Sequence, residues 1–269
     1  MPRRAEVVAL GLVQGPTELL PISSSGHVAV LPWLLGWSYA DAEPELRKSV
    51  EVALHAGTAV ALLIGLRSEV AEAVGGLDPR RVGLVFWSFL PPAAVGLAFE
   101  RIVEEKLGTP PTIAAGLLLG SALLVSGDRA GQRRVHEEAG WVDGLCLGVA
   151  QAASLMPGVS RNGATLAAAR ARGFRRPDAN VLSRHSALPV IVGASVLKGV
   201  RLTRRGIPAS LAGTLAAGAL ASFASTLASI RLIGAVERDR PLAWWAAYRC
   251  FAAGVILIAR GRRDTVRRR

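Results

Sequence analysis

Aromatic side chains and lysines are both scarce in this sequence, and their scarcity excludes one class of partner. Aromatic residues make up 5% of the 269 residues, and the only lysines are Lys48, Lys106 and Lys198. The formal net charge is nevertheless +12, which by itself suggests nucleic acid or an anionic surface. With so few rings to stack on bases, no nucleic-acid partner is expected. The arginines lie in loops and at the chain ends, and we expect those at the ends (residues 3–4 and 267–269) to contact lipid headgroups.

The motifs of common soluble enzymes and metal modules are also missing. No cluster of His, Cys, Asp and Glu has structural-metal spacing, and neither G-x-S-x-G nor a P-loop occurs. His136 lies in a charged loop and is expected to be solvated. Cys146 and Cys250 both lie in apolar stretches, so they predict small buried side chains and indicate nothing about the redox compartment.

Long stretches with little or no charge dominate what is present. Hydrophobic residues make up 51% of the chain and charged residues 19%, and the mean hydropathy is +0.37. A helix that spans a bilayer needs about 20 mostly apolar residues. The stretches predict an all-α polytopic membrane protein with full spans at about 50–66, 82–99, 111–126, 184–200, 208–230 and 243–260.

Two further apolar regions, at about 5–37 and 142–170, are each interrupted by Pro, Gly and hydroxyl residues. Both contain the order LG-x-x-Q, L-x-P-x-x-S, G, and three predicted spans follow each of them. We therefore predict one integral membrane domain, 1–269, made of two repeats at about 1–130 and 138–269. If each interrupted region is a re-entrant hairpin, the repeats are inverted and the hairpins meet near the midplane. Two proline-kinked spanning helices are the alternative.

The first interrupted region concentrates polar groups inside an apolar segment. Gln14 and Glu18 are spaced i, i+4 and would share one helix face. The run Ser23-Ser24-Ser25-Gly26-His27 follows, and its first four residues suit a turn into a new helix whose free N–H groups favour an anion. An ionisable group at membrane depth is costly, which makes this region a candidate functional site.

The second interrupted region carries a fixed positive charge. Arg161 is the only charged residue between Asp143 and Arg170, and a guanidinium binds phosphate well because it presents a planar fork of donors. Ser160 and Asn162 flank it, and Thr165 lies at i+4 on the same helix face. Together the two regions offer anion-binding turns, a cation, a carboxylate, an imidazole and hydroxyl groups, an inventory that favours phosphoryl transfer.

These residues resemble the bacterial undecaprenyl-diphosphate phosphatases, also called the bacitracin-resistance family. Residues 14–18 are similar to the family's (E/Q)-x-x-x-E, residues 21–27 to P-[VI]-S-S-[TS]-G-H, and residues 157–165 to P-G-x-S-R-S-G-x-T. The resemblance implies six transmembrane helices plus two re-entrant hairpins in inverted repeats. It also implies hydrolysis of undecaprenyl diphosphate to the monophosphate, which recycles the lipid carrier for cell-wall synthesis at the inner membrane. A divalent cation, Mg or Ca, is implied as cofactor, and a homodimer is a further expectation.

The resemblance assigns roles to individual residues. Glu18, Ser24, His27 and Arg161 would be catalytic, with Glu18 and His27 as acid/base partners of a Ser24 nucleophile, or with His27 attacking directly. Glu18 would also be a metal ligand. The substrate-binding residues would be Gln14, Ser23, Ser25, Gly26, Ser160, Asn162 and Thr165.

Three positions depart from the family pattern. Gln14 stands where many members have Glu, an allowed alternative that removes one possible metal ligand and shifts weight to Glu18, and Asn162 replaces a Ser. His55 stands where an amide is expected, and Glu51 and His55 at i, i+4 could pair at the edge of the pocket or at a helix end.

Two other functions remain alternatives. A transporter or flippase for a polyprenyl phosphate or another anionic lipid would also use inverted repeats with broken helices, but it would need no nucleophile beside a base. A structural membrane subunit leaves the intramembrane Glu18 and Arg161 without a role.

Overall fold

The computed structural model describes residues 2–76, 78–129, 133–206, 209–237 and 241–267, and all its regular elements are helices. Across these residues the only β pairing is an isolated bridge between Arg134 and Phe174. The α-helices are α1 (Arg4–Leu19), α2 (Ser24–Leu35), α3 (Pro44–Gly65), α4 (Arg67–Gly75), α5 (Pro79–Lys106), α6 (Pro110–Asp128), α7 (Trp141–Ala153), α8 (Arg161–Ala171), α9 (Arg176–Arg205), α10 (Ala209–Ser229), α11 (Ile233–Glu237) and α12 (Ala243–Arg267).

Five helical segments are long and apolar enough to cross a membrane. They are Pro44–Gly65, Pro79–Phe99, Pro110–Asp128, Arg176–Arg204 and Ser210–Glu237. These segments contain the first five predicted spans, apart from Leu66 at the end of the first span and residues 208 and 209 at the start of the fifth, of which residue 208 lies outside the described residues. The protein is therefore a helical membrane protein with several spans.

The sixth predicted span forms α12 but does not join those five. The reason lies in its sequence, because Arg249 sits in its middle and arginines fill its last turns. An arginine lowers the hydropathy of a helix strongly wherever it lies. The basic residues 268 and 269 lie outside the described residues.

Each interrupted region forms two helices separated by a short break, as the sequence predicts. Residues 20–23 separate α1 from α2, and residues 154–160 separate α7 from α8. Pro21 and Pro157 lie in these breaks, where neither has to donate a helical hydrogen bond.

The two interrupted regions, α1 with α2 and α7 with α8, are called the broken segments below, and they are packed in an equivalent way. α1 packs against α10, and α7 packs against α5. The motif glycines allow this close approach, because a Cβ on Gly11 would lie 2.6 Å from the Gly218 carbonyl oxygen, and one on Gly148 would lie 2.5 Å from that of Trp87. Small residues serve this purpose between membrane helices. Each broken segment is thereby fixed to a long helix of the other predicted repeat.

The cysteines differ in their surroundings. Cys146 is half-buried, whereas Cys250 is exposed on α12. The prediction of two buried thiols is therefore wrong for Cys250, because an apolar stretch of a membrane helix can face outward as well as inward.

An ion-pair cluster ties the segment before α7 to the end of α8. Asp143 accepts hydrogen bonds from Arg134 (2.9 and 3.0 Å) and from Arg172 (2.8 Å). Burial alone would raise the pKa of the Asp143 carboxyl, but the hydrogen bonds from the two arginines outweigh burial and hold the pKa at about 2. The ionised carboxylate therefore stabilises the folded state at neutral pH.

Replacement of Asp143 by asparagine is expected to lower the free energy of unfolding by about 2 kcal/mol, since charged hydrogen bonds are lost. The folded pKa lies below the ordinary value of about 3.9, so this contribution is present at neutral pH and disappears as the pH falls from about 4 to about 2. Denaturation midpoints in detergent across this pH range would measure the difference between wild type and variant. A difference that grows as the pH falls would contradict the prediction.

Candidate active site

Glu18 is the meeting point of the two broken segments. It lies in the last turn of α1, and its carboxylate is almost fully buried. Ser24 Oγ donates to Glu18 Oε2 over 2.6 Å, and Gln14 Nε2 donates to the same oxygen over 3.1 Å. The Arg161 guanidinium forms an ion pair with the other oxygen, Oε1. A hydroxyl and a cation from opposite halves of the chain thus converge on one carboxylate.

Ser24 and Arg161 hold equivalent positions, because each is the first residue of the helix that follows a break. The residues before them, Ser23 and Ser160, cap the two helices by accepting from Gly26 N (3.3 Å) and Gly163 N (3.2 Å). Ser23 and Ser160 have φ values of 76° and 68°, and no other described residue except glycine has a positive φ. Such backbone costs about 1–3 kcal/mol and is found mainly at functional sites.

This equivalence corrects the alignment of the two motifs. The order L-x-P-x-x-S pairs Ser24 with Ser160, whereas the caps pair Ser23 with Ser160. The second break has one more residue between its proline and its cap. The candidate nucleophile and the arginine predicted to bind phosphate therefore occupy the same place in the two segments.

Ser23 also joins the two breaks to each other. Its Oγ accepts from the backbone N–H of Gly158 over 3.2 Å, and it lies 3.4 Å from Ser25 Oγ. Ser23 is 2% exposed. Its role in the structure is to cap a helix and hold the second break, and Ser160 is likewise a buried cap.

Asn162 and Thr165 connect α8 to its neighbours. Asn162 Nδ2 donates to the Leu19 carbonyl over 2.6 Å, and Asn162 Oδ1 accepts from Ser183 of α9 over 3.1 Å. Thr165 Oγ1 lies 2.6 Å from Ser183 Oγ. Ser183 was not singled out from the sequence, although it sits among the predicted substrate-binding residues.

His27 lies in the same region, and its hydrogen bonds among the described residues go to Ser23 and Tyr248. Its Nδ1 is 2.6 Å from the Ser23 carbonyl oxygen, and its Nε2 is 2.8 Å from the Tyr248 hydroxyl. Because a carbonyl can only accept, Nδ1 carries the proton and Nε2 of the neutral ring accepts from Tyr248. The His27 and Tyr248 rings stack with their centroids 5.8 Å apart. Of the two acid/base partners expected for Ser24, the Glu18 carboxylate is therefore the one that accepts its hydrogen bond, whereas the His27 ring is engaged by Ser23 and Tyr248.

Arg249 is the functional residue that sequence reasoning missed. It is fully buried in α12 and donates to the carbonyl oxygens of Pro21 (3.1 Å), Gly158 (2.9 Å) and Val159 (2.7 Å). One guanidinium thus holds the backbone of both breaks. The available signal was a single arginine in the middle of an apolar stretch, which at membrane depth indicates function.

A cavity opens beside the ion pair between Glu18 and Arg161. Asn162 lines it together with these two residues, and apolar side chains from the end of α3 and from α9 and α11 complete the wall, among them Leu62, Leu66, Leu188, Ile191 and Ile233. Its wall is polar around the ion pair and apolar beyond it, as a ligand with a charged head and a hydrocarbon tail requires.

The similarity to known proteins covers almost the whole chain. The family model described as "Bacitracin resistance protein BacA" matches residues 7–256. The chain belongs to this family. It is 35% identical over 261 residues to the undecaprenyl-diphosphatase of Geobacter sulfurreducens, with 92% of this chain and 95% of that protein covered. The undecaprenyl-diphosphatase of Chromohalobacter salexigens is 36% identical over 265 residues, with 94% and 97% covered.

Membership of the bacitracin-resistance family fits the fold. With five helices able to cross a membrane, this family member is a multi-pass protein of the bacterial inner membrane.

The divalent cation that the family implies can be tested against the residues present. Gln14 is fully buried beside Glu18, and its Oε1 has no hydrogen-bond partner among the described residues. A carboxylate with an unpartnered amide oxygen suits Mg²⁺ or Ca²⁺, because both take oxygen ligands and Mg²⁺ is often held by one carboxylate plus substrate phosphates. Glu18 and Gln14 thus fit a cation, provided that Arg161 moves from Glu18 to the phosphate.

Another acidic grouping lies away from this site. Within the described ranges, the only His/Cys/Asp/Glu cluster with ligand atoms close enough for a metal is His136, Glu137 and Asp178. His136 Nδ1 lies 2.8 Å from Asp178 Oδ1, so the prediction of a solvated His136 is wrong. Asp178 is also paired with Arg175, which makes this cluster a network that fastens the start of α9.

His55 contacts the backbone carbonyl of Glu51 (2.8 Å), the contact expected within a helix.

Removal of the Tyr248 hydroxyl tests whether His27 needs its partner. Tyr248→Phe keeps the stacked ring but leaves His27 Nε2 without its donor, and we expect the rate of phosphate release to fall about two- to tenfold, as for one neutral hydrogen bond. Rates in detergent would be compared with those of Trp244→Phe, a change at an exposed position of the same helix. Equal rates for both variants and wild type would show that the bond to Tyr248 is dispensable.

Proposed function

We propose that this chain hydrolyses undecaprenyl diphosphate to undecaprenyl phosphate and inorganic phosphate, and so recycles the lipid carrier for cell-wall polymer synthesis. Family membership supports the substrate and the reaction. One observation in the structure carries the proposal, namely that Ser24 donates to the Glu18 carboxylate while Arg161 is paired with the other oxygen of the same group. A pure carrier of anionic lipids needs the arginine but has no use for a hydroxyl beside a base.

Ser24 is the nucleophile in this proposal. Its hydroxyl already donates to a carboxylate that can take the proton, whereas both ring nitrogens of His27 are engaged by Ser23 and Tyr248. A histidine that attacked phosphorus would first have to lose the bond to Tyr248. His27 therefore positions the break between α1 and α2, and its link to α12 fixes it there.

The reaction proceeds in two displacements. When the diphosphate enters, Arg161 exchanges Glu18 Oε1 for a phosphate oxygen, while Glu18 Oε2 still accepts from Ser24 and can act as its base. Ser24 Oγ then attacks the terminal phosphorus and passes its proton to Glu18 while the bond to the bridging oxygen breaks and undecaprenyl phosphate leaves. After Glu18 has released that proton, it accepts one from a water that attacks the phosphoserine. Phosphate leaves, and Glu18 returns the proton to Ser24.

Charge that builds up on phosphorus is stabilised by the chain itself. Arg161 and the first backbone N–H groups of α2 and α8 are donors near the reacting phosphate, and the helix dipoles add to their effect. A divalent cation held by Glu18 and Gln14 would supply further positive charge at the phosphate oxygens. Asn162 and Thr165 keep α8 in register with α1 and α9 through the contacts described above.

The proposal extends to the topology. Six transmembrane helices and two re-entrant hairpins in inverted repeats, at about 1–130 and 138–269, would place the two breaks against each other near the midplane. The equivalent caps at Ser23 and Ser160 and the exchanged packing of α1 on α10 and α7 on α5 support this arrangement. α12 would be the sixth span, with the charge of Arg249 stabilised by hydrogen bonds to the carbonyl groups that it binds.

The test is a product analysis with purified protein in detergent. Undecaprenyl diphosphate is incubated with Mg²⁺ or Ca²⁺, and inorganic phosphate and undecaprenyl phosphate are measured separately. Equal amounts of the two products are expected, without free pyrophosphate. If no phosphate is released with either cation and the intact lipid moves across vesicle membranes, the protein is a transporter and not an enzyme.

A further inference from the structure

One wall of the cavity belongs to α9 and lies outside every motif that the sequence offers. Asn180, Ser183, Arg184 and Ala187 line it, and their spacing of three and four residues places them on one face of the helix. This face touches the candidate active site directly, because Arg161 Nη1 donates to the Ala187 carbonyl and Ser183 donates to Asn162. Groups on this wall are therefore next to any phosphate that Arg161 binds.

Asn180 presents an unused donor to the cavity. It is 2% exposed, and its Nδ2 has no hydrogen-bond partner in the part of the chain that the structure describes. Buried amide donors are almost always paired, so an unpaired one on the wall of a cavity indicates a ligand. A phosphate oxygen would satisfy it.

Arg184, one turn further along, supplies charge on the same wall. Its Nε and Nη2 donate to Glu69 of α4 (2.9 and 3.2 Å), and its Nη1 donates to Glu237 of α11 (2.9 Å). A guanidinium has five N–H groups, and these three bonds leave two of them for a ligand. The Arg184 side chain is only 13% exposed, whereas Glu69 and Glu237 are about one-third exposed.

The charges around the cavity indicate that a diphosphate needs a second cationic side chain besides Arg161. Arg161 is paired with Glu18, and Arg184 is paired with two carboxylates. A diphosphate carries more negative charge than a monophosphate, and one arginine can face only one of its two phosphates squarely. The second phosphate requires donors of its own within reach of Arg161.

We propose that Asn180 and Arg184 form a second phosphate position, so that a diphosphate is held between Arg161 and Arg184. The inference rests on the proposed function and names the residues that distinguish a diphosphate from a monophosphate in that site. Glu69 and Glu237 orient Arg184 and also weaken its attraction for the ligand.

The experiment uses the full-length protein in detergent with farnesyl diphosphate as substrate and farnesyl monophosphate as competitor. For Arg184→Gln, KM for the diphosphate is expected to rise about tenfold to a hundredfold, the effect of one charged hydrogen-bonding group. The inhibition constant of the monophosphate should change much less. Asn180→Asp, which replaces the donor by a negative charge, should raise KM in the same way. Arg204→Gln removes the same charge from an exposed position of α9 and serves as the matched control.

The double variant Glu69→Gln, Glu237→Gln distinguishes a phosphate-binding role of Arg184 from a purely structural role. If Arg184 binds phosphate, loss of its two competing charges lowers KM for the diphosphate, opposite in sign to Arg184→Gln. If Arg184 only fastens α4 and α11 to α9, both variants raise KM or leave it unchanged, and the second phosphate position is refuted while hydrolysis by wild type still stands. If wild type releases no phosphate, the proposed function fails and the second phosphate position falls with it.

Discussion

Ser24→Ala is expected to reduce phosphate release from an isoprenyl diphosphate by roughly a thousandfold or more, the usual effect of removing a nucleophile. The reason is local, because Ser24 Oγ is the hydroxyl that donates to Glu18. Glu18→Gln keeps the shape of the side chain but removes the base, and we expect a loss of about a hundredfold to ten-thousandfold. Single-turnover rates at saturating substrate would measure both effects without the contribution of substrate binding.

The two variants should not behave independently. Because serine and glutamate act in the same proton transfer, the double variant is expected to be no slower than the slower single variant. Ser49→Ala is the matched control, since Ser49 lies on α3 and its hydroxyl donates to the Glu45 carbonyl of its own helix. If Ser24→Ala keeps most of the wild-type rate while His27→Ala loses it, the nucleophile is the His27 imidazole and not the Ser24 hydroxyl.

The membrane fold could be predicted from the sequence because its cause is compositional. A segment such as Pro110–Gly127 has no charge, and a bilayer allows such a segment few structures other than a helix. The breaks could be predicted for a similar reason, since Pro21 and Pro157 cannot donate helical hydrogen bonds. Composition and local chemistry are enough for these features.

The candidate residues could also be named in advance, but not their contacts. An ionisable side chain such as Glu18 or Arg161 costs free energy at membrane depth in any orientation, so both residues can be recognised in the sequence. That Ser24 turns to Glu18 and not to His27 depends on the helix start at Ser24, where the positive φ of Ser23 redirects the chain. No propensity predicts such a backbone at a serine.

Long-range contacts explain what remained hidden. Arg249 lies 228 residues from Pro21 in the sequence, and Arg184 binds Glu69 from a helix 115 residues away. A motif search compares neighbours along the chain, so neither contact can be found in that way. The tertiary structure brings Arg249 to the carbonyl groups of both breaks, which lie in opposite halves of the chain.

Arg249 therefore carries the second large expected effect. Arg249→Lys keeps the charge, but an ammonium group cannot span the three carbonyl groups that the planar guanidinium reaches. The breaks that present Ser24 and Arg161 should shift relative to each other, and a shift of about 1 Å in a reacting group costs about a hundredfold in rate. We expect kcat for the isoprenyl diphosphate to fall by that amount.

Two comparisons separate positioning from general instability. Arg263→Lys changes an arginine of the same helix that also donates to a backbone carbonyl, that of Trp33, at an exposed site, and it should keep the wild-type kcat. Gly120→Ala keeps the arginine but puts a methyl group against its guanidinium and against the Val159 carbonyl that it binds, so that this contact must shift, and the variant should reproduce the loss of kcat. If both Arg249→Lys and Gly120→Ala turn over at the wild-type rate with unchanged thermal stability, then the contact between Ser23 and Gly158 suffices to align the two breaks, and Arg249 has no part in positioning them.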